Sequence, residues 1–195
     1  MKAFKIGLTA VIFVVERYSA LWIKEAGPEW QARAGLSEAD YQKTFNDLVK
    51  QGFRLTWISA HEANGAVRYE GIWEKKAGGA WEARGNLSST EYQQAFDNYT
   101  KQGYRLLHVS GYSSGGSPHF AAIFEKSAGP AWTARHNMTS SQYQQAFDEM
   151  SKQGYRLKDL SGYNVAGTDY YAAIWEKTNG PWWWARNGVP DAGCN

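Results

Sequence analysis

Residues 139–155 read TSSQYQQAFDEMSKQGY, and the chain carries a similar segment twice more, at residues 37–53 and 88–104. The apolar side chains of this segment recur at i, i+3, i+4 and i+7, as Tyr143, Ala146, Phe147 and Met150. This spacing places all of them on one side of a helix whose remaining positions are polar. The segment therefore predicts an amphipathic helix that buries a single apolar stripe.

The ends of the predicted helix carry their own signals. A hydroxyl residue stands three positions before an acid or amide in every copy: Thr139 and Gln142, Ser88 and Glu91, Ser37 and Asp40. The first two pairs fit a capping box, in which the two side chains satisfy end N–H groups reciprocally, and the third is a shorter version of it. Gly154 follows the last turn, so we expect it to end the helix in the left-handed conformation.

Other residues keep the same interval of 51 positions (81−30, 132−81, 183−132). Tryptophan and arginine recur together, as Trp30, Trp81, Trp132, Trp183, Arg33, Arg84, Arg135 and Arg186. A fixed period of this size is typical of a repeat architecture. We predict one repeat domain over residues 1–195, built from four tandem β-β-α units: residues 1–51, 52–102, 103–153 and 154–195. The last unit lacks its helix, because Pro190 stands where Thr139 caps the previous one.

Each helix is preceded by two β-branched and aromatic runs separated by glycine-rich turns. Residues 103–112 and 120–126 form such a pair, which predicts a β-hairpin. The predicted fold class is therefore α+β: an eight-stranded curved antiparallel sheet or half-barrel with three helices on one face. We expect the aromatic face, with Trp73 and Trp175, to pack under the helices. One hairpin with one helix is too small to bury its apolar surface alone, so neighbouring units must stack.

Composition excludes several classes of function. The net charge of +2 and the pI near 8.5 give no reason to expect nucleic acid or a membrane as partner. Cys194 is the single cysteine, so the chain has neither an internal disulfide nor a Cys-x-x-Cys metal site. We expect no cofactor. Residues 1–15 combine lysines with an apolar run, which fits either the first strand of unit one or a targeting segment; the repeat register favours the strand.

Catalytic motifs are scarce. The four histidines do not repeat in register and lack metal-ligand spacing, and the chain contains neither Gly-x-Ser-x-Gly nor Ser-x-x-Lys. His119 lies near Ser117 in a serine-rich turn, and with His108 it offers the material for a hydrolase site assembled between units. We keep this hydrolase as an alternative function, with no catalytic residue assigned.

Aromatic and cationic side chains are the stronger candidates for binding. We expect Trp30, Trp81, Trp132 and Trp183 to lie in loops, and Trp182 and Trp184 add rings where the other units have none. The candidate ligand-binding residues are Trp182, Trp184, Trp132, Trp81, Trp30, Arg84, Arg135, Arg186 and His119. The ligand is expected to be a polymeric glycan or an extended peptide. Packing explains the same residues in another way, with each arginine stacked on its own tryptophan. A structural array that docks a protein partner is the remaining alternative.

Five stretches carry a resemblance to a known family: YQQAFDEMSKQGYRL, SGY, YYAAIWEK, FAAIFEK and GPAWTARHNMTSSQYQ. They resemble the bacterial tandem repeat domain 1 family, which is also found in the N-terminal region of secreted polyglycine hydrolases. The resemblance covers about residues 18–186. In such proteins the repeats are joined to a serine hydrolase of the β-lactamase type. It implies an extracellular or periplasmic accessory module that positions a polymeric substrate, and it transfers no catalytic residue to this chain.

Overall fold

The structure, a computed structural model, describes residues 5–7, 21–23 and 26–181 of the chain. The elements, in chain order, are β1 (Lys5–Gly7), β2 (Leu21–Ile23), β3 (Trp30–Leu36), α1 (Glu38–Lys50), β4 (Arg54–Ala63), β5 (Ala66–Glu74), β6 (Trp81–Ser88), α2 (Ser89–Lys101), β7 (Arg105–Ser114), β8 (Ser117–Glu125), β9 (Trp132–Thr139), α3 (Ser140–Lys152), β10 (Arg156–Val165) and β11 (Thr168–Glu176).

The strands form three separate three-stranded antiparallel sheets, ordered β3-β5-β4, β6-β8-β7 and β9-β11-β10. β1 and β2 form a separate two-stranded antiparallel sheet, with Ile6 opposite Trp22. The prediction of one eight-stranded sheet in four β-β-α units is therefore wrong. The structure has three units, each of which reads strand, helix, hairpin. The hairpin closes on its own first strand, so each sheet ends at its edges instead of continuing into the next unit.

The first strand of each unit was predicted as a loop, and this too is wrong. Trp30, Trp81 and Trp132 are each the first residue of an outer strand, β3, β6 or β9. Each of these strands contains a bulge, which explains why the sequence pattern did not predict a strand. In β6, for example, the pairing with β8 shifts between Arg84 and Leu87. At the same place in the three copies the backbone is left-handed, at Gly35, Asn86 and Asn137 (φ 68°, 54° and 54°). A bulge residue breaks the alternation of side chains that reveals a strand.

All three helices form as predicted. Ser88 with Glu91, and Thr139 with Gln142, make complete capping boxes, whereas Ser37 accepts from the Asp40 amide without a reciprocal bond to its own backbone. The helix ends at the expected glycine, illustrated by Gly52 at φ 86°. There the Phe53 amide donates to the Leu48 carbonyl at 3.0 Å, and the Gly52 amide donates to the Val49 carbonyl at 3.0 Å. These two bonds define a Schellman motif.

Each helix covers one face of its own sheet. On the middle strand of the first and third sheets, Trp73 and Trp175 are fully buried beneath the helix, as predicted. Tyr41 of α1 stacks on Tyr69 of β5, with ring centroids 5.0 Å apart, and Tyr143 of α3 stacks on Tyr171 of β11 at 5.1 Å. The aromatic stripe of the helix and the aromatic face of the strand thus form one core per unit.

The opposite faces of the middle strands β8 and β11 are covered by the preceding unit. Ala121 and Ile123 of β8 belong to the same apolar cluster as the first helix and sheet. In the third unit, Ala172 and Ile174 of β11 join the core of the second. The second and third sheets are therefore buried on both faces, and the expected stacking of neighbouring units is confirmed.

Candidate functional site

The predicted binding residue Trp81 lies at the junction between the first and second units. Its ring centroid is 5.7 Å from that of Phe45 on the preceding helix, and the Arg54 guanidinium carbon lies 5.7 Å from the ring. Phe45 and Arg54 both belong to the first unit, whereas Trp81 begins the second. The ring is half-buried between them. Because a cation over an indole face is attracted by the ring quadrupole, this contact joins two units.

The same arrangement recurs at the next junction, 51 residues on. Trp132 lies 5.7 Å from Phe96, and the Arg105 guanidinium carbon is 5.7 Å from its ring. The prediction that Arg84 and Arg135 stack on the tryptophans of their own Trp-x-Ala-Arg elements is therefore wrong. The arginines over these rings are Arg54 and Arg105. The stacked arginine comes from the start of the preceding hairpin, because the outer strand turns the Trp-x-Ala-Arg side chains to different neighbours.

The stacked arginines also form polar contacts between units. Arg54 pairs with Glu125 of the second unit at 2.9 Å and donates to the Gly79 carbonyl at 2.9 Å. Arg105 repeats this with Glu176 at 3.1 Å. The side chains of the first pair are only 10% and 17% exposed. The Glu125 carboxylate therefore lies inside the junction and not in the surrounding solvent.

A glycine in the linker leaves room for this ion pair. A Cβ atom at Gly78 would collide with the Arg54 guanidinium and with a carboxylate oxygen of Glu125. Gly129 holds the equivalent place at the second junction, where a Cβ would lie 2.9 Å from the guanidinium carbon of Arg105. The arginines, the glutamates and these glycines all recur at 51-residue spacing. That period was the available signal for their role, but it does not distinguish a contact within a unit from one between units.

The arginines of the Trp-x-Ala-Arg element face solvent in the three copies that the structure describes. Arg84 lies 3.2 Å from Glu82 and over the Tyr99 ring at 5.5 Å, and its side chain is 47% exposed. Arg135 pairs with Glu149 at 2.9 Å and is 42% exposed. Arg33, at the same position of the first unit, is also exposed. These three exposed side chains occupy equivalent positions on the outer strands, and their binding of a ligand stays a prediction.

The remaining predicted residues are scattered. Trp30 is half-buried at the start of β3, and His119 is half-buried at the start of β8. The His119 Nδ1 atom lies 3.2 Å from the backbone carbonyl of Ser117. The residues beyond position 181 lie outside the described part of the chain, which leaves three predicted site residues, Trp182, Trp184 and Arg186, without a structural account. The described candidates do not converge on one cleft.

His108 is buried between the units, although the sequence indicated no partner for this histidine. His108 Nδ1 is 2.8 Å from the Asp159 carboxylate of the third unit, and Nε2 is 2.7 Å from the Ile58 carbonyl of the first. Burial alone would lower the pKa of His108, but the charge and hydrogen bond of Asp159, with the Ile58 carbonyl, raise it above its ordinary value. Burial would likewise raise the pKa of Asp159, but His108 and two backbone amides lower it.

The other described histidines differ in setting. His61 Nδ1 lies 3.4 Å from the Glu70 carboxylate on the neighbouring strand. His136 packs edge-on against Tyr92 at 4.7 Å, and burial lowers its pKa. Among the residues that the structure describes, no group of three or more His, Cys, Asp or Glu side chains is placed to hold a metal ion. The helices of the described residues have 13 residues each, and none of them is long and apolar enough to cross a membrane.

The three units correspond to three consecutive matches with one protein-family model. That model describes a polyglycine hydrolase-like structural repeat, and it matches residues 27–76, 78–127 and 129–178. Each match begins shortly before an outer strand and ends just after the hairpin that pairs with it, so the family's unit is the strand-helix-hairpin unit of the structure. The matches cover well over half of the 195 residues. The chain belongs to the family of polyglycine hydrolase-like structural repeats.

Proposed function

We propose that this chain is a non-catalytic repeat module that binds an extended polymer, a glycan or a peptide, and positions it for a serine hydrolase outside the cytoplasm. The observation that carries the proposal is the identity of the two junctions. Phe45, Arg54, Trp81 and Glu125 at the first correspond one by one to Phe96, Arg105, Trp132 and Glu176 at the second.

Identical junctions support polymer binding because they fix the spacing of whatever the units display. A polymer presents the same chemical group at regular intervals, so a rigid array contacts several of these groups at once. Linked contacts of this kind raise the overall affinity by roughly 10² to 10⁴ over one contact alone. A single small ligand would gain nothing from the repetition.

The exposed arginines of the outer strands supply the displayed groups. Arg33, Arg84 and Arg135 occupy one position of the repeat and are all accessible. A guanidinium donates several hydrogen bonds in a fixed plane, which suits peptide carbonyls and sugar oxygens. The family description names a polyglycine hydrolase, so glycine-rich peptides are the first ligands to test, followed by neutral glycans.

Binding should be measured by calorimetry on the intact chain with ligand series of increasing length. We expect affinity to rise steeply once a ligand is long enough to reach two units. The variant Arg84→Ala/Arg135→Ala should lose at least tenfold in affinity for the long ligands. Lys101→Ala/Lys152→Ala removes two exposed cations from the helix ends and serves as the matched control. Affinity that is independent of length, or equal loss in both variants, would contradict the proposal.

Trp182 and Trp184 provide a separate test, because the sequence singles them out as rings additional to the repeat. Trp182→Ala/Trp184→Ala should weaken retention of a polymer while leaving the thermal unfolding midpoint of the repeat units unchanged. Unchanged retention would remove these two residues from the binding surface.

A docking array for a protein partner is the second candidate, favoured by the use of Trp81 and Trp132 within junctions. It predicts that no polymer binds but that a separately produced hydrolase domain does. The hydrolase alternative has no such support. Both ring nitrogens of His108 are engaged, by Asp159 and Ile58, so neither is available to activate a hydroxyl. His119 faces the Ser117 carbonyl rather than its hydroxyl.

A further inference from the structure

One position of the repeat holds three different residues that lie in a row through the centre of the module. Trp57, His108 and Asp159 are 51 residues apart, on β4, β7 and β10. These strands are the inner edges of the three sheets, and β7 lies beside both of the others. The Trp57 and His108 ring centroids are 5.6 Å apart, and His108 reaches Asp159 at 2.8 Å. Elsewhere equivalent positions mostly carry similar residues, so this row is an exception to the repeat.

The contacts of His108 require a proton on each ring nitrogen. Nε2 faces the Ile58 carbonyl and Nδ1 faces the Asp159 carboxylate, and both partners are hydrogen-bond acceptors. A neutral imidazole carries only one N–H, so it satisfies one of them and turns a lone pair toward the other. The imidazolium donates to both. The charged histidine therefore links a carbonyl of the first unit to a carboxylate of the third.

Asp159 is the charged group that faces His108 from within the described residues. On β4 the neighbours are the Trp57 ring and the Ile58 carbonyl, and on β8 the residue opposite His108 is Ile123. Lys158, next to Asp159 on β10, turns to Glu176 instead, at 3.4 Å. Asp159 also accepts from the Val109 amide at 3.0 Å, which fixes its carboxylate against β7.

We propose that His108 and Asp159 form a pH-sensitive ion pair that holds the third unit against the second and is strongest in mildly acidic solution.

The direction of the pH dependence follows from the two shifts. The pKa of His108 is raised above 6.5, so its contribution to stability is complete below that value and is lost as pH rises through the pKa of the folded state. The pKa of Asp159 is lowered below 3.8, so its contribution is complete above that value and is lost as pH falls through the lowered pKa. Both groups therefore contribute fully to stability between pH 3.8 and pH 6.5.

The test is a pH titration of the intact chain, followed by NMR of the histidine ring nitrogens. We expect one histidine, assigned through its absence in His108→Gln, to be protonated on both nitrogens at pH 6 and to titrate above 6.5. In Asp159→Asn the same ring should titrate at or below 6.5. His119→Gln is the matched control, since it removes a histidine that lies opposite Tyr112, near the turn of the second hairpin.

Thermal unfolding gives the second readout. Between pH 5.5 and 8.5 the unfolding midpoint of the native chain should fall by about 3 °C more than that of Asp159→Asn, and His119→Gln should follow the native chain. If His108 titrates at or below 6.5 in the native chain, or if Asp159→Asn leaves its titration unchanged, the proposal is wrong. Contacts between the His108 and Trp57 rings, whose centroids are 5.6 Å apart, also assign the signal in the native chain. The first of these outcomes is therefore decided even where a variant fails to fold.

Discussion

Arg54 and Glu125 are 71 residues apart in sequence and belong to different units, yet their side chains meet at 2.9 Å in the first junction. The same guanidinium donates to the Gly79 carbonyl and lies over the Trp81 ring. One arginine thus contacts the outer strand, the linker and the middle strand of the following unit. Arg54 recurs in every unit at the start of the hairpin, and through these three contacts it restricts how the next unit packs against its own.

Arg54→Ala should destabilise the chain by about 3 kcal/mol, because removal of one partner leaves the Glu125 carboxylate buried without its charge partner. The loss is measured as the change in the free energy of unfolding in denaturant. Lys43→Ala is the control. It breaks an ion pair whose side chains are 79% and 48% exposed, and it should cost less than about 0.5 kcal/mol. Equal losses in the two variants would show that the junction pair is no stronger than a surface pair.

The contact between Phe45 and Trp81 should show up as a coupling energy. We expect Phe45→Leu and Trp81→Leu to interact by about 1 kcal/mol in a double-mutant cycle, because aromatic pairs contribute beyond the area they bury. Phe96→Leu and Trp132→Leu should give a similar value at the second junction. Additive effects of the two substitutions at both junctions would contradict the packing role assigned to these rings.

Gly111 on β7 is predicted to tolerate no side chain. A Cβ there would clash with the ring of Tyr163 from the third unit. The Tyr163 hydroxyl donates to the Asn137 side chain at 2.9 Å, so the ring has little freedom to move aside. Gly111→Ala should therefore cost about 2 kcal/mol. Gly162→Ala, whose Cβ would meet Tyr171 at an ordinary 3.4 Å, should be close to neutral in the same unfolding measurement.

Ala166 occupies a strained turn position in the third hairpin. It has φ 50°, whereas the equivalent places of the other hairpins hold Asn64 and Gly115. Because asparagine tolerates the left-handed region better than alanine, Ala166→Asn should raise the free energy of unfolding by about 0.5 to 1 kcal/mol. The reverse change, Asn64→Ala, should lower it by a similar amount. A loss of stability in Ala166→Asn would contradict the assignment of the strain to this backbone angle.

Local signals allowed the helices to be predicted from sequence, including the complete caps at Ser88 and Thr139 and the terminal glycine at Gly52. These features depend on residues within a few positions of each other. The outer strands were missed because the left-handed bulge at Asn86 interrupts their alternation. The division into three sheets instead of one was missed for a different reason. Sequence spacing is the same whether a strand pairs within its unit or with the next.

In the candidate site too, sequence spacing did not distinguish contacts within a unit from contacts between units. The period identified Trp81 and Trp132 as equivalent residues, but it gave no sign that their partners, Arg54 and Arg105, come from the preceding unit. His108 and Asp159 were harder still, because each is unlike its counterparts in the repeat and only the stacking of strands brings them together. Contacts between units depend on the rotation from one unit to the next, which no local pattern encodes.

The most direct measurement is a pair of double-mutant cycles on the two equivalent ion pairs, Arg54 with Glu125 and Arg105 with Glu176. If the module is held together by one repeated junction, both coupling energies should exceed about 1 kcal/mol and agree to within about 0.5 kcal/mol. A coupling near zero at either junction, with a large value at the other, would contradict this account of how the units are joined.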